Sequence, residues 1–156
     1  MKKLFFTMLM TVAFVPFLQA QDSEITDDDL RKYAILNQAI EYMKKDISIE
    51  VNKMIKAQEG ITGKRYKELA AAKGDEAKLA ELGATEPEKK FLELINKFKA
   101  DRLEAIKRVN SDLATKMVGN GGKTYKAIKA ALKTDADLQA RYEAILAQVA
   151  GKEEIQ

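Results

Sequence analysis

Residues 118–126 read VGNGGKTYK, a glycine cluster running into Lys-Thr of the sort that wraps nucleotide phosphates. A phosphate-binding loop needs a glycine five residues ahead of its Gly-Lys-Ser/Thr and a strand before the loop, so that successive amides converge on the anion. Here the triplet is Gly122-Lys123-Thr124, Met117 occupies the position that glycine should hold, and a long helical pattern precedes it. The stretch is therefore read as a turn, with Gly119, Gly121 and Gly122 supplying backbone freedom where one helix ends and the next begins. Lys123 is then an ordinary surface residue.

Other residues that could do chemistry lead to similarly plain readings. Asp27-Asp28-Asp29 lacks the spaced ligands and glycine of a calcium loop, and acidic residues are favoured at helix N-termini anyway. Asp135 and Asp137 have the same explanation. The chain has no histidine and no cysteine, which removes the commonest general base, the thiol nucleophile and the usual ligands of a structural zinc. No serine, lysine or tyrosine stands in a hydrolase motif, and no carboxylate pair is recognisable among the 24 acidic residues. No cofactor or metal is expected. Glu93–Lys97 and Glu104–Arg108 are i,i+4 surface pairs. Tyr66 and Tyr125 occur in similar contexts, which suits either a shared ligand contact or packing at a helix corner, the latter being favoured.

The elements that must position these residues are helical. Ala, Lys, Glu and Leu abound, and no stretch alternates with the period of a strand. A first helix is predicted over Asp27–Glu59, capped by Thr26, with the apolar stripe Leu30, Tyr33, Ile40, Met43, Ile47, Val51 and Met54. Asn37 falls within that stripe and is read as a boundary residue with a solvated amide. Another long helix is predicted over Glu86–Val118, started by Pro87 and striped by Phe91, Ile95, Phe98, Arg102, Ile106, Val109, Leu113 and Met117, with Arg102 snorkelling to water. Beyond the glycine turn, Tyr125, Ile128, Leu132, Leu138, Tyr142, Ile145 and Val149 follow helical spacing, with a break where Thr134 or Asp135 starts a new helix.

Sliding the sequence by 59 residues lays 60–79 over 119–138 with nine identities in twenty positions, among them Gly60, Gly63, Tyr66 and Leu79. Thr26 then lies over Thr85. The pattern in both halves, about 26–83 and 85–150, is a long helix, a glycine turn containing Gly60 and Gly63 or Gly119, Gly121 and Gly122, and shorter helices. This predicts an all-α antiparallel bundle of four principal helices built from two repeated helical hairpins.

The first twenty residues are read separately. Lys2 and Lys3 precede an apolar run ending at Leu18-Gln19-Ala20, the plan of a secretory signal peptide, and the run is shorter than the roughly 20 residues a spanning helix needs. Cleavage near Ala20 leaves 21–156 as one helical domain, exported to the periplasm or medium and without a transmembrane span. That domain is close to neutral, with 25 basic and 24 acidic residues, and no sustained basic face argues for nucleic acid. Without cysteine, its stability rests on packing.

Both ends of this domain resemble an uncharacterised bacterial family, domain of unknown function 4168. At the start, ITDDDLRKYAILNQAIEYM supplies the acidic turn Asp27–Asp29, Leu30 and the Tyr33-Ala34 pair. At the end, Gly122, Tyr125, Ile128, Ala131, Asp135, Leu138 and Arg141 match the family's closing segment. The likeness covers about 25–54 and 110–149, while 60–105 departs as an extra hairpin. The resemblance implies an exported helical protein of unknown activity and transfers no catalytic residue. The expectation is a non-catalytic protein that binds an envelope protein or glycan, with a holdase-like periplasmic chaperone as the alternative and an enzyme of unrecognised type third. An uncovered apolar stripe would allow a homodimer.

Overall fold

A computed structural model describes residues 24–151; the signal-peptide reading of residues 1–20 lies outside them. The described residues are all-helical, with six α-helices and no strand. They are α1 (Asp27–Ala57), α2 (Gly63–Ala71), α3 (Glu76–Glu81), α4 (Glu86–Asp112), α5 (Lys123–Ala131) and α6 (Ala136–Ala150). None is long and apolar enough to cross a membrane.

The two long helices begin alike. Thr26 accepts from the backbone N–H of Asp29, whose carboxylate accepts from the backbone N–H of Thr26, and Thr85 and Glu88 make the same reciprocal box at the head of α4. Each box satisfies two of the orphan donors that every helix start exposes. Pro87 sits in the first turn of α4, where the missing amide hydrogen costs no hydrogen bond. Asp75 and Asp135 cap α3 and α6; of the two residues predicted to start the last helix, Asp135 does so.

Between α4 and α5 the helix changes pitch. Residues Leu113–Met117 form a π-turn, closed by the Val118 N–H donating to the Leu113 carbonyl at 3.0 Å. A step of four residues drifts about 40° around an α-helix, and a widened turn recovers that drift. Ala114 and Val118 consequently join Ile106 in the core, while Leu113 and Met117, which helical spacing places on the buried stripe, are only partly covered. Gly119 then has φ +99°, Gly121 +61° and Gly122 +84°, backbone states open to glycine at little cost. Gly60 also has positive φ, at +80°, whereas Gly63 does not and is the first residue of α2.

Two apolar clusters form, one toward each end of the α1–α4 pair. The first joins Leu30, Tyr33, Ala34, Leu36 and Ile40 of α1 to Ile106, Ala114 and Val118, and to Ile128, Leu138 and Ile145 of α5 and α6. The second joins Val51 and Ile55 of α1 to Ile61, Tyr66, Leu69, Ala72 and Leu79, and to Phe91, Leu92 and Ile95 of α4. Leu36, outside the predicted stripe, is fully buried because α1 is covered on two sides, by α6 and by α4. Burying an Ile or Leu side chain contributes about 2 kcal/mol, so each cluster outweighs any surface ion pair nearby.

Candidate functional site

The residues of the two family-like segments meet in the first cluster. Tyr33 of α1 lies against Tyr125 of α5 with ring centroids 5.2 Å apart, and edge-on to Tyr142 of α6 at 5.7 Å. Such tilted aromatic pairs add about 1 kcal/mol beyond their burial. Asn37 does not keep its amide in water as expected. It donates to the Tyr142 hydroxyl at 3.3 Å, because α6 crosses the stripe at that level and brings an acceptor. Burial pushes the Tyr33 phenol upward, opposed by the neighbouring Asn37 amide. Ile128 is fully buried and Leu138 nearly so, and Asp135 caps α6 by accepting from the Leu138 N–H at 2.9 Å. Arg141 closes the junction: its guanidinium donates to Asp27 Oδ1 from Nε at 3.0 Å and Nη2 at 2.6 Å, and to the Ile25 carbonyl at 3.2 Å.

The acidic run is distributed among such partners. Asp27 receives Arg141, Asp28 pairs with Lys32 at 2.7 Å, and Asp29 closes the capping box. Among the described residues no group of three or more acidic side chains gathers as a metal site would require. Beside Arg141, a cleft of about 780 Å³ opens between α5 and α6, floored by Ala127, Ala130, Ala131 and Leu138 and edged by Glu24 and Asp135. Its walls offer mainly methyl groups, with the Thr134 hydroxyl, the Glu24 and Asp135 carboxylates and the guanidinium already engaged by Asp27. They hold no nucleophile paired with a base.

Tyr66 and Tyr125 do not come together. Tyr66 is buried in the second cluster and its hydroxyl accepts from Lys99 Nζ at 2.8 Å. The ammonium stands 5.5 Å from the ring centroid, so this is a hydrogen bond at the hydroxyl edge more than a contact with the ring face. Near it, Arg65 grips the start of α4. It donates to Glu88 Oε1 at 2.6 Å and Oε2 at 3.0 Å, and to the carbonyls of Leu82 at 3.1 Å and Gly83 at 3.3 Å. The Arg65 guanidinium, followed by the Thr85 amide, holds the Glu88 carboxyl down at about 2. Periodicity gave no sign of this clamp, since its partners are 23 residues apart.

Two surface features complete the picture. Ile35, Tyr42 and Ile49 are exposed on α1, Tyr42 by 69%. Their seven-residue spacing keeps them within about 40° on the helix, and Tyr42 lies about 180° from buried Tyr33 and Val51. The second feature is a local run of lysines: Lys123, Lys126, Lys129 and Lys133 are all exposed along α5 and the turn beyond it. Overall near-neutrality concealed this local excess. Elsewhere Glu104–Arg108 forms at 3.1 Å as expected, but Lys97 reaches forward to Asp101 at 2.7 Å instead of back to Glu93, one ammonium having two alternative i,i±4 partners. Arg102 is exposed, its guanidinium 5.2 Å from the Phe98 ring.

Comparison with protein-family models, with curated proteins and with solved structures returned no match.

Proposed function

We propose that this chain is an exported, non-catalytic interaction protein of the bacterial cell envelope, with α1 presenting the binding row Ile35, Tyr42 and Ile49. The observation that carries the reading is this row. Three large apolar side chains stand in line on the outer side of a rigid helix, and a helix face of that kind suits a partner's apolar helix laid along it. A protein partner fits two isoleucines better than a glycan does. The signal-like residues 1–20 support export, and the likeness of both ends to domain of unknown function 4168 agrees with it. The 59-residue repeat and the matching Thr26 and Thr85 boxes support an origin of the two long helices α1 and α4, each with the shorter helices that follow it, in a duplicated helical hairpin. The polar side chains of the first cluster serve as caps, clamps and packing contacts, which favours binding over catalysis.

A holdase would use the same row, and stoichiometry separates the two readings. The triple change Ile35→Ser, Tyr42→Ser, Ile49→Ser should leave the melting temperature within about 3 °C, these side chains being exposed, and abolish co-purification of a partner in a fixed ratio. If the unchanged protein instead suppresses aggregation of several unrelated unfolded substrates, the holdase reading replaces the first. A co-purifying partner retained by the triple variant would remove the row from the account. A homodimer through the row would appear as a halving of mass in the triple variant.

A further inference from the structure

We infer that the outer face of α5 is an electrostatic docking surface for an anionic lipid bilayer. Lys123, Lys126 and Lys129 step by three along α5, within about 120° of its circumference, and Lys133 continues the line in the following turn. All four are exposed, and none makes an ion pair with the described residues. From Leu113 to Thr134 the chain has five lysines and no acidic residue. The nearest acids in sequence are engaged, Asp112 with Lys116 at 3.2 Å and Asp135 as the cap of α6, while Glu24 edges the adjoining cleft beside Arg141.

The matching stretch of the other half shows that the plan does not require this excess. There Glu68 lies 4.0 Å from Lys64 and Glu88 holds Arg65, whereas Ala127 and Thr124 stand at the positions equivalent to Glu68 and Arg65.

The makeup of the face selects the occupant. It consists of ammonium groups on flexible stems, separated by Ala127 and Ala130, with no arginine fork and none of the molecule's large exposed apolar side chains. Base recognition or stacking on single strands draws on arginine, amides or aromatics, and a specific protein interface centres on aromatic or arginine anchors. A line of point charges on one side of a helix matches a flat surface of mobile anions. Each lysine near such a bilayer is worth about fivefold in partitioning, so four together are worth several-hundred-fold.

The test uses the chain as purified from its expressing cells, its N-terminus read by mass spectrometry, sedimented with vesicles of phosphatidylglycerol and phosphatidylcholine or of phosphatidylcholine alone. The unchanged protein should prefer the anionic vesicles by about 100-fold or more at low salt, and lose most of that preference in 0.5 M salt. The variant Lys123→Gln, Lys126→Gln, Lys129→Gln, Lys133→Gln should fall to within about fivefold of neutral-vesicle binding while keeping its circular dichroism and melting temperature. A charge-matched variant, Lys45→Gln, Lys56→Gln, Lys67→Gln, Lys90→Gln, should stay within about fivefold of the unchanged protein. Equal losses in the two variants would reduce the effect to net charge and overturn the assignment. So would undiminished vesicle binding by the α5 variant, or a loss confined to duplex nucleic acid or heparin.

Discussion

The two ends of the molecule solve the same problem differently. At the α2–α3 end, a nine-residue and a six-residue helix cover the far half of α1 and the start of α4. The buried cluster there is nearly as large as the one at the opposite end, and a largely shielded bidentate ion pair, Arg65–Glu88, also ties α2 to the head of α4. At the α5–α6 end, a fifteen-residue helix lies on α1 and brings Tyr142 and Ile145 with it. Its arginine contact, Arg141–Asp27, is more exposed on both sides, where ion pairs contribute little. One end is therefore held by packing plus a clamp and the other mainly by packing. At the second end, the lysines that packing does not use are left facing solvent.

Deletions at the centre of each cluster should have the largest effects. Ile128→Ala and Leu69→Ala remove fully buried side chains from equivalent positions of the two halves, and each should cost about 3 kcal/mol. Urea unfolding followed by helical signal and by tyrosine fluorescence checks this. If the ends form one cooperative unit, both variants lower the midpoint with an unchanged slope. Two separate transitions would break the comparison into independent subdomains.

The glycines sharpen it next. Gly63 and Gly122 coincide in the 59-residue register, yet only Gly122 has positive φ, at +84°. Gly122→Val should cost about 2 kcal/mol. Gly63→Ala sits in helical backbone with nothing within 4 Å of a new Cβ, so it should be neutral or stabilising by about 0.5 kcal/mol. Thermal melts of the two variants read the contrast directly.

The clamp predicts an asymmetry with pH. Glu88 is held at about 2 in the folded chain, below the unfolded value near 4.3. Its stabilisation is therefore complete above that unfolded value and is lost as pH falls toward 2. Glu88→Gln should cost about 2 kcal/mol at pH 7 and flatten the stability profile between about pH 4 and 2. Asp27→Asn, at the exposed clamp, should change that profile much less. The smallest effects belong to the surface: Lys123→Ala should leave folding within about 0.5 kcal/mol while weakening vesicle binding about fivefold.

Local features were readable from the sequence, and tertiary ones were not. Thr26, Thr85 and Asp135 announce helix starts because a cap and its amide are at most three residues apart, and Gly122 marks a turn through its own backbone freedom. The spacing of Ile128, Leu138 and Ile145 identified a buried face, since each lies on one side of its own helix. Leu36 escaped because its burial depends on a second helix covering α1. The π-turn escaped because a uniform period of 3.6 cannot report a local change of pitch. The Arg65–Glu88 clamp and the Asn37–Tyr142 bond escaped because charge and amide positions carry no record of which distant helix will face them. Of the candidate surfaces, the lysines of α5 were visible as residues, and their common exposure without ion pairs among the described residues makes them a face.

The interaction reading itself is tested most directly by placing a photo-crosslinking phenylalanine analogue at Tyr42, with the exposed Lys107 on α4 as a control, in cells producing the protein at native level. The account predicts one discrete crosslinked product at position 42, lost when Ile35 and Ile49 are changed to serine, and none at position 107. No product at 42, or the same products at both positions, would contradict it.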